Sequence, residues 1–340
     1  MLEPLPDPPP RRKLGIKQGL KIIFSVALLA FLLHMAGIEN TFVRLRQANP
    51  LYLPVCAGFY FAAQAVSAYR WQFLSAALDF HLRFWEMYEY YLIGMFFNMF
   101  LPGAIGGDAV RMYYLARRCG RRKREALLTL LAERGVGLVA LLLLTSVVCL
   151  TPSILAINLA VPLHVPGLPV MAVDVRLLLL GLSLFMLLGY GVLHWLPLER
   201  LAQRFSPLAL VEQGGVYWRH PLLLLRSVVM SLGVHALMVG IHWLITLALG
   251  VHVPVLYLIV VYGVVSLASV LPISANGFGV REGIYWLFLT RIGLSGETAL
   301  AFALYWDAIS ILTSLPGGLF LLKAPRKVQT STEPVETKAI

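Results

Sequence analysis

Six apolar runs, each about 20 residues long, constrain the fold of this chain more than any other feature. An α-helix rises about 1.5 Å per residue, so a run of this length crosses the roughly 30 Å of hydrocarbon in a bilayer. Hydrophobic residues make up 59% of the 340 residues and charged residues only 13%, which leaves little sequence for a soluble domain. The sequence therefore predicts a single membrane domain. Its full crossings are residues 20–37, 51–74, 126–150, 177–196, 222–250 and 299–322.

The distribution of positive charge predicts the orientation of these helices. The net charge is +11, and Lys and Arg lie beside the apolar runs, which favours contact with anionic lipid over binding to nucleic acid. The basic residues are densest between Arg117 and Arg124, whereas residues 151–174 contain neither Lys nor Arg. Because basic loops stay in the cytoplasm, we predict a multi-pass protein of the cytoplasmic (inner) membrane of a prokaryote, with both termini in the cytoplasm.

Two further apolar stretches, residues 88–115 and 254–291, are interrupted, and each must begin and end on one side of the membrane. We interpret each as a re-entrant pair of half-helices; a pair of full crossings in place of each hairpin would preserve the same sides. The predicted fold is an all-α polytopic membrane protein with six full transmembrane helices and two re-entrant broken-helix hairpins. Residues 19–323 form the transmembrane domain, residues 1–18 a cytoplasmic segment and residues 324–340 a disordered cytoplasmic tail.

An internal repeat relates the two interrupted stretches. Residues 101–111 read LPGAIGGDAVR and residues 271–281 read LPISANGFGVR, with five identities at a constant offset of 170 residues. The repeat halves, about residues 19–150 and 171–323, each contain three full crossings, so they should have opposite orientations in the membrane. Such inverted repeats occur in many transporters, where the substrate site lies at the broken helices.

The broken elements form the candidate binding site. Gly permits close backbone approach, Pro ends a helix, and the N-terminus of a half-helix together with an Arg side chain attracts an anion such as phosphate. Asp108 is expected to cap the half-helix that follows it. The alternative is that the interruptions only permit kinks or close packing, and that Arg281 and Glu282 form a local charge pair. The candidate substrate-binding residues are Asn98, Pro102, Gly103, Gly106, Gly107, Asp108 and Arg111 in the first copy, and Pro272, Ser274, Asn276, Gly277, Gly279, Arg281 and Glu282 in the second.

Ionisable residues within the apolar runs extend this candidate site. Glu133, Arg134 and Asp307 lie inside predicted membrane helices, where an unpaired charge is costly and marks a functional position. One interpretation is that they line a polar cavity, with Glu133 or Asp307 balancing Arg111 or Arg281 and carrying protons. The other is that they form structural ion pairs.

Other conspicuous side chains favour structural roles. His235 and His242 share a helix face with Ser231, which favours packing or hydrogen bonding over metal binding. Trp71 and Trp85 are interpreted as anchors at the membrane interface. The sequence contains no G-x-S-x-G, Walker A, H-E-x-x-H or paired C-x-x-C motif, so we expect no enzyme activity, no metal and no cofactor.

Three segments resemble a known family. They are NMFLPGAIGGDAVR at residues 98–111, ERGVGL at residues 133–138 and LPISANGFGVREG at residues 271–283. Together they are similar to the flippase-type membrane domain of the lysylphosphatidylglycerol synthase transmembrane family, over about residues 17–323, although Glu133 stands where that family's pattern has Asp. The resemblance implies a lipid translocator, or an accessory to envelope lipid or glycolipid assembly. The 340 residues leave no room for the aminoacyl-transferase domain of the synthases, so we expect a stand-alone membrane domain.

The function expected from these residues and this resemblance is flippase-like translocation of an anionic lipid, with a phospho- or polyprenyl-phosphate-linked headgroup, across the cytoplasmic membrane. The headgroup would enter a cavity between the hairpins and bind Arg111 and Arg281. The alternative is a membrane-embedded transferase or accessory subunit in lipid-linked sugar or envelope glycolipid assembly. The expected partners are membrane lipids with anionic headgroups, a separately encoded lipid-modifying enzyme and a second copy of the chain in a homo-oligomer.

Overall fold

The computed structural model describes residues 16–100, 106–120, 122–163, 171–195, 214–270, 274 and 277–322. This part of the chain contains thirteen helices and one short β-hairpin. The helices are α1 Ile16–Ala36, α2 Ile38–Gln47, α3 Tyr52–Ala76, α4 Phe84–Phe100, α5 Gly106–Arg118, α6 Lys123–Cys149, α7 Pro152–Leu155, α8 Val175–Trp195, α9 Gly215–Trp218, α10 Pro221–Ala248, α11 Val255–Val270, α12 Val280–Arg291 and α13 Gly296–Leu322. Strands β1 Ala160–Leu163 and β2 Met171–Asp174 pair antiparallel between α7 and α8.

The six predicted crossings correspond to α1, α3, α6, α8, α10 and α13, which confirms an all-α polytopic membrane fold. Five of these helices are long and apolar enough to span a membrane on their own, and α3 meets this condition together with α2, from which it is bent by 85°. Apolar runs do not predict α2, because it is a polar helix with Arg44 and Arg46 in its last turn. They do not predict the β-hairpin either, which lies just before α8.

The two interrupted stretches form pairs of short helices, α4 with α5 and α11 with α12. These helices contain 17, 13, 16 and 12 residues. Each is therefore about 18–26 Å long, less than the thickness of the hydrocarbon layer. The members of each pair pack against each other, as expected of re-entrant hairpins. Ser274, in the second connection, is buried. Four candidate site residues of the connections lie outside the described residues, namely Pro102, Gly103, Pro272 and Asn276.

The order of the elements and their packing repeat along the chain. Helices α3 to α6 recur as α10 to α13, displaced by close to the 170-residue offset of the motif. In the first half, α4 packs on α13 and α5 packs on α6. The corresponding contacts of the second half are α11 on α6 and α12 on α13. The two equivalent helices α3 and α10 pack extensively against each other. These features agree with an internal repeat, and the opposite orientation of the two halves stays a prediction.

Side-chain exposure separates a lipid-facing edge from a packed interior. Helices α1 and α8 expose large apolar side chains, including Ile23, Leu177 and Phe185, each at least 66% exposed. Bulky side chains of the central helices, such as Tyr257 and Phe288, are almost completely buried. An apolar exterior of this kind is stable only where lipid covers it, which fits the membrane assignment.

Cysteine labelling tests the predicted orientation. In a Cys119→Ser background, we expect Arg124→Cys, in the exposed first turn of α6, to react with an impermeant maleimide only after the membrane is opened. Ser153→Cys, exposed in α7, should react in intact cells. The remaining native cysteines, Cys56 and Cys149, are buried and should stay unlabelled. External labelling at position 124 would contradict both the orientation and the inverted repeat.

Candidate functional site

Two clusters of charged side chains lie within the membrane helices. The arginine-rich cluster consists of Arg70 from α3, Asp108 and Arg111 from α5, and Glu133 and Arg134 from α6. Glu133 is at its centre, because its carboxylate accepts hydrogen bonds from Arg70 at 2.5 Å and from Arg111 at 3.2 Å. Asp108 pairs with Arg134 at 2.7 Å and with Arg111 at 3.4 Å. Four predicted site residues therefore come together here, joined by a third arginine.

Aromatic side chains enclose the inner part of this cluster. The Arg111 guanidinium lies 3.8 Å from the ring centre of Tyr91 and 4.4 Å from that of Trp71. Such contacts stabilise a cation that has been removed from water. The Tyr91 hydroxyl also donates a hydrogen bond to Glu133 at 3.1 Å. Arg111 is 3% exposed as a result, so it is closed to a ligand in this conformation.

Arg134 is the accessible member of the arginine-rich cluster. Its side chain is 53% exposed, whereas the side chain of Glu133 is 2% exposed. Consecutive residues of a helix point about 100° apart, which allows these two neighbours to face opposite environments. The Arg134 Nε and Nη2 atoms lie 3.0 Å and 2.7 Å from one oxygen of Asp108. A ligand that approaches the cluster therefore meets the Arg134 guanidinium first.

The arginine-rich cluster carries more positive than negative charge. Its three guanidinium groups face two carboxylates, so one positive charge has no counter-ion within the cluster. Glu133 lies about 15 Å along α6 from Lys123, in a helix about 40 Å long. The excess charge is therefore well inside a long membrane helix, and a weakly screened cation in that position attracts an anion strongly.

A close backbone crossing fixes α5 against α4. A Cβ atom at Gly107 would overlap the carbonyl oxygen of Gly94. The Gly107 N–H donates a hydrogen bond to the side-chain oxygen of Asn98 at 2.8 Å. Asn98 therefore caps α5 from the opposite arm, whereas Asp108, the predicted cap, forms ion pairs instead. Gly106 is the first residue of α5, and the N–H that follows it is occupied rather than free for an anion.

The second group of charges, the acidic cluster, consists of Arg281 and Glu282 from α12 and Asp307 from α13. Arg281 forms an ion pair with Asp307, and its Nη2 atom lies 3.6 Å from Glu282. Gly277 and Gly279 precede α12 with φ values of 83° and 84°, which glycine adopts without strain. The Gly279 N–H donates a hydrogen bond to the Glu282 carboxylate. Glu282 therefore caps α12 in addition to facing Arg281.

Arg111 and Arg281 lie in different clusters, contrary to the expectation that both face one cavity between the hairpins. Each is bound to a carboxylate on the next long helix of its own half, Glu133 and Asp307 respectively. The sequence predicts that Glu133 or Asp307 balances Arg111 or Arg281, and the structure assigns one acid to each arginine. A cavity of about 510 Å³ among the described residues lies elsewhere. It is lined by Phe73, Ala77, Val216, His220, Pro221, Leu222, Leu223 and Arg226.

The two histidines of α10 are hydrogen-bonded structural residues, as their pattern predicts. His235 bonds a backbone carbonyl of α6 at 3.0 Å and the hydroxyl of Tyr262 at 2.8 Å. His242 bonds the carbonyl one turn earlier in α10 at 2.7 Å and the hydroxyl of Tyr285 at 2.6 Å. A carbonyl only accepts, so the ring nitrogen that faces it donates, and in a neutral ring the other nitrogen accepts from the hydroxyl. Both imidazoles are satisfied in their neutral form.

The sequence patterns above do not place three residues, Arg70, Trp71 and Tyr91, at the candidate site. Arg70 is the one Lys or Arg residue of α3, it is 5% exposed, and it bonds Glu133. Its signal is a position inside an apolar run, the same criterion that selects Glu133. Trp71 is predicted to be an interface anchor, and this is wrong, because it is fully buried against Arg111. Tyr91 carries no sequence signal that separates it from neighbouring aromatic residues.

Comparison with known proteins places the chain in a family. Residues 18–317 match the family described as the lysylphosphatidylglycerol synthase TM region. The chain belongs to this family. The match confirms the resemblance drawn from the motifs, and it extends over both charged clusters, from Arg70 to Asp307.

Relatives of this lysylphosphatidylglycerol synthase TM-region protein are archaeal membrane proteins. A UPF0104 membrane protein of Methanothermobacter thermautotrophicus is 23% identical over 300 residues, which cover 84% of this chain and 88% of the relative. A UPF0104 membrane protein of Pyrococcus horikoshii is 30% identical over 103 residues, 30% of this chain and 31% of the relative. A UPF0104 membrane protein of Methanocaldococcus jannaschii is 26% identical over 116 residues, which cover 34% of this chain and 33% of the relative. These similarities agree with a multi-pass membrane domain.

Proposed function

We propose that the protein translocates an amphiphile with an anionic headgroup, of the phospholipid or polyprenyl-phosphate class, across the cytoplasmic membrane. The observation that carries this proposal is the uncompensated positive charge of the arginine-rich cluster deep in the membrane helices. A charge in that position is costly unless it is paired, and ionisable groups inside membranes mark transport pathways. A headgroup with one negative charge would complete the pairing, while its chains stay in lipid.

The accessible guanidinium defines the first step of binding. Arg134 is half-exposed and holds only one oxygen of Asp108, so a phosphate replaces that carboxylate without uncovering the interior. A planar guanidinium binds two phosphate oxygens at once, and this geometry favours Arg over Lys. For the headgroup to move further into the protein, the rings of Tyr91 and Trp71 must move away from the Arg111 guanidinium. Arg111 would then be the second binding site of the headgroup.

A scrambling assay in proteoliposomes tests this proposal. We expect Arg134→Ala to slow the movement of fluorescent phosphatidylglycerol by about ten- to a hundred-fold, because a charge-assisted hydrogen bond contributes roughly 1.5–3 kcal/mol and 1.4 kcal/mol is a factor of ten. Arg134→Lys should fall between wild type and Arg134→Ala. Movement of a lipid with a neutral headgroup should change less than that of the anionic lipid.

Arg176 provides a matched control for the assay. It forms an ion pair with Asp174 at 2.6 Å, next to the β-hairpin and outside the charged clusters. Arg176→Ala therefore removes an arginine and breaks an ion pair without touching the proposed headgroup site, and it should scramble at the wild-type rate. A folded Arg134→Ala protein that moves phosphatidylglycerol as fast as Arg176→Ala would exclude Arg134 as the headgroup contact and refute the proposal.

A further inference from the structure

The acidic cluster has the opposite charge balance to the arginine-rich cluster. One guanidinium, Arg281, faces two carboxylates, Glu282 and Asp307. All three residues are buried, with exposed fractions of 8%, 0% and 5%. Asp307 lies about 16 Å along α13 from its first residue, so the excess negative charge is also deep in the membrane helices. An unbalanced carboxylate at this depth requires a counter-charge.

The hydrogen bonds of Glu282 show where that counter-charge belongs. One of its oxygens accepts the N–H of Gly279. The other, Oε1, is buried and accepts no hydrogen bond, since the nearest Arg281 nitrogen is 3.6 Å away. Asp307 Oδ1 and Glu282 Oε1 both face the same Nη2 atom of Arg281, which brings the two carboxyl groups close together. Two ionised carboxylates are both acceptors and repel each other, so they can form a hydrogen bond only when one of them holds a proton.

We propose that Glu282 and Asp307 hold one exchangeable proton between them and that the acidic cluster is a proton-binding site. With the proton bound, the two carboxyl groups together carry one negative charge, which the positive charge of Arg281 balances. Among the described residues, the other titratable groups near the cluster are Tyr285 on the same helix, Tyr60 from α3 and His242 from α10. None of these brings a positive charge, because tyrosines are neutral or anionic and the imidazole of His242 is hydrogen-bonded in its neutral form.

Glu133 is the corresponding acid of the arginine-rich cluster, but it does not hold an exchangeable proton. Arg70 and Arg111 both bind its carboxylate, and Tyr91 donates a third hydrogen bond. Hydrogen bonds from two cations stabilise the ionised form. Of the two acids that the sequence places in the membrane, Asp307 therefore carries the exchangeable proton, and Glu133 remains a fixed negative charge.

Infrared difference spectroscopy of the purified protein tests the proton site without any transport measurement. Wild-type protein should show a carboxylic C=O band that shifts in D₂O, and this band should disappear in both Asp307→Asn and Glu282→Gln. Asp174→Asn, an acid paired with Arg176 outside the cluster, should leave the band unchanged. A wild-type spectrum without the band, or a band that survives in both variants, would show that both carboxylates are ionised and would overturn the proposal.

Thermal unfolding gives a second test that does not depend on spectral assignment. An amide is a neutral replacement for a protonated carboxyl, so Asp307→Asn should unfold at the wild-type temperature. If both carboxylates were ionised, the same change would break an ion pair with Arg281, and the unfolding temperature would fall clearly. That fall would overturn the proposal.

A role of this proton in transport rests on the proposed function and is tested separately. Scrambling by the wild-type protein should vary with pH, and Asp307→Asn should scramble at a rate that no longer varies with pH. Wild-type scrambling that is independent of pH would refute the coupling and leave the lipid proposal intact. An absence of scrambling at every pH would refute the lipid proposal and the coupling, and the infrared band alone would then decide the proton site.

Discussion

Glu133→Gln is expected to destabilise the protein by about 3–5 kcal/mol, the usual cost of removing one partner from a buried ion pair. Glu133 is the only carboxylate that Arg70 contacts in the structure as described, and it also pairs with Arg111. The amide keeps the shape of the side chain and removes the charge, so two buried guanidinium groups lose their shared counter-ion. We expect a thermal melt of the purified protein to shift down by roughly 10 °C.

Two further variants separate the loss of charge from a loss of packing. Glu133→Asp keeps the charge, so it should retain much more stability than Glu133→Gln. Adding Arg70→Gln to Glu133→Gln removes one of the unpaired cations, and the double variant should be more stable than the sum of the single effects predicts. If Glu133→Gln melts at the wild-type temperature, the carboxylate is not the counter-ion of the two arginines, and the charge balance given for the cluster is wrong.

The crossings and the glycine-rich breaks could be predicted because their signals are local. An apolar run of about 20 residues specifies a membrane helix whatever its neighbours are, and the repeat of LPGAIGGDAVR as LPISANGFGVR marks the two broken elements. The expectation that Glu133 or Asp307 balances Arg111 or Arg281 follows the same logic, since buried charges in membranes require partners, and the structure shows which acid pairs with which arginine.

The details of the site could not be predicted because they depend on contacts between distant segments. Arg70 lies inside an apolar run, but the sequence does not show its partner, and only the packing of α3 against α6 brings it to Glu133. The cap of α5 comes from Asn98 on the opposite arm, which displaces Asp108 into the ion pair with Arg134. The repeat also suggests equal roles for Arg111 and Arg281. The residues around them differ, however, so one cluster has an excess of positive charge and the other an excess of negative charge.

Gly107→Ala is expected to prevent normal assembly of the first hairpin, although it adds a single methyl group. The added Cβ would overlap the Gly94 carbonyl oxygen and lie 2.6 Å from the Asn98 side chain. Overpacking commonly costs about 1–3 kcal/mol where side chains can move aside. Here the obstacle is backbone, so α4 and α5 must separate, the cap from Asn98 is lost, and Asp108 and Arg111 shift with α5 away from Glu133. We expect little monodisperse protein in size-exclusion chromatography.

The chain supplies a close control for this change and a second site where it should be repeated. Gly135 lies in α6, and no atom stands within 4 Å of its added Cβ, so Gly135→Ala should be neutral or slightly stabilising, because Ala favours a helix by about 1 kcal/mol over Gly.

Gly317, in α13, contacts the backbone of α4 at Leu92 as closely as Gly107 contacts Gly94. Gly317→Ala should therefore fail as Gly107→Ala does, since small residues let membrane helices approach at their backbones. Normal yield and scrambling from Gly107→Ala would show that α4 and α5 do not need this close crossing, and that the arginine-rich cluster is held together by its ion pairs alone.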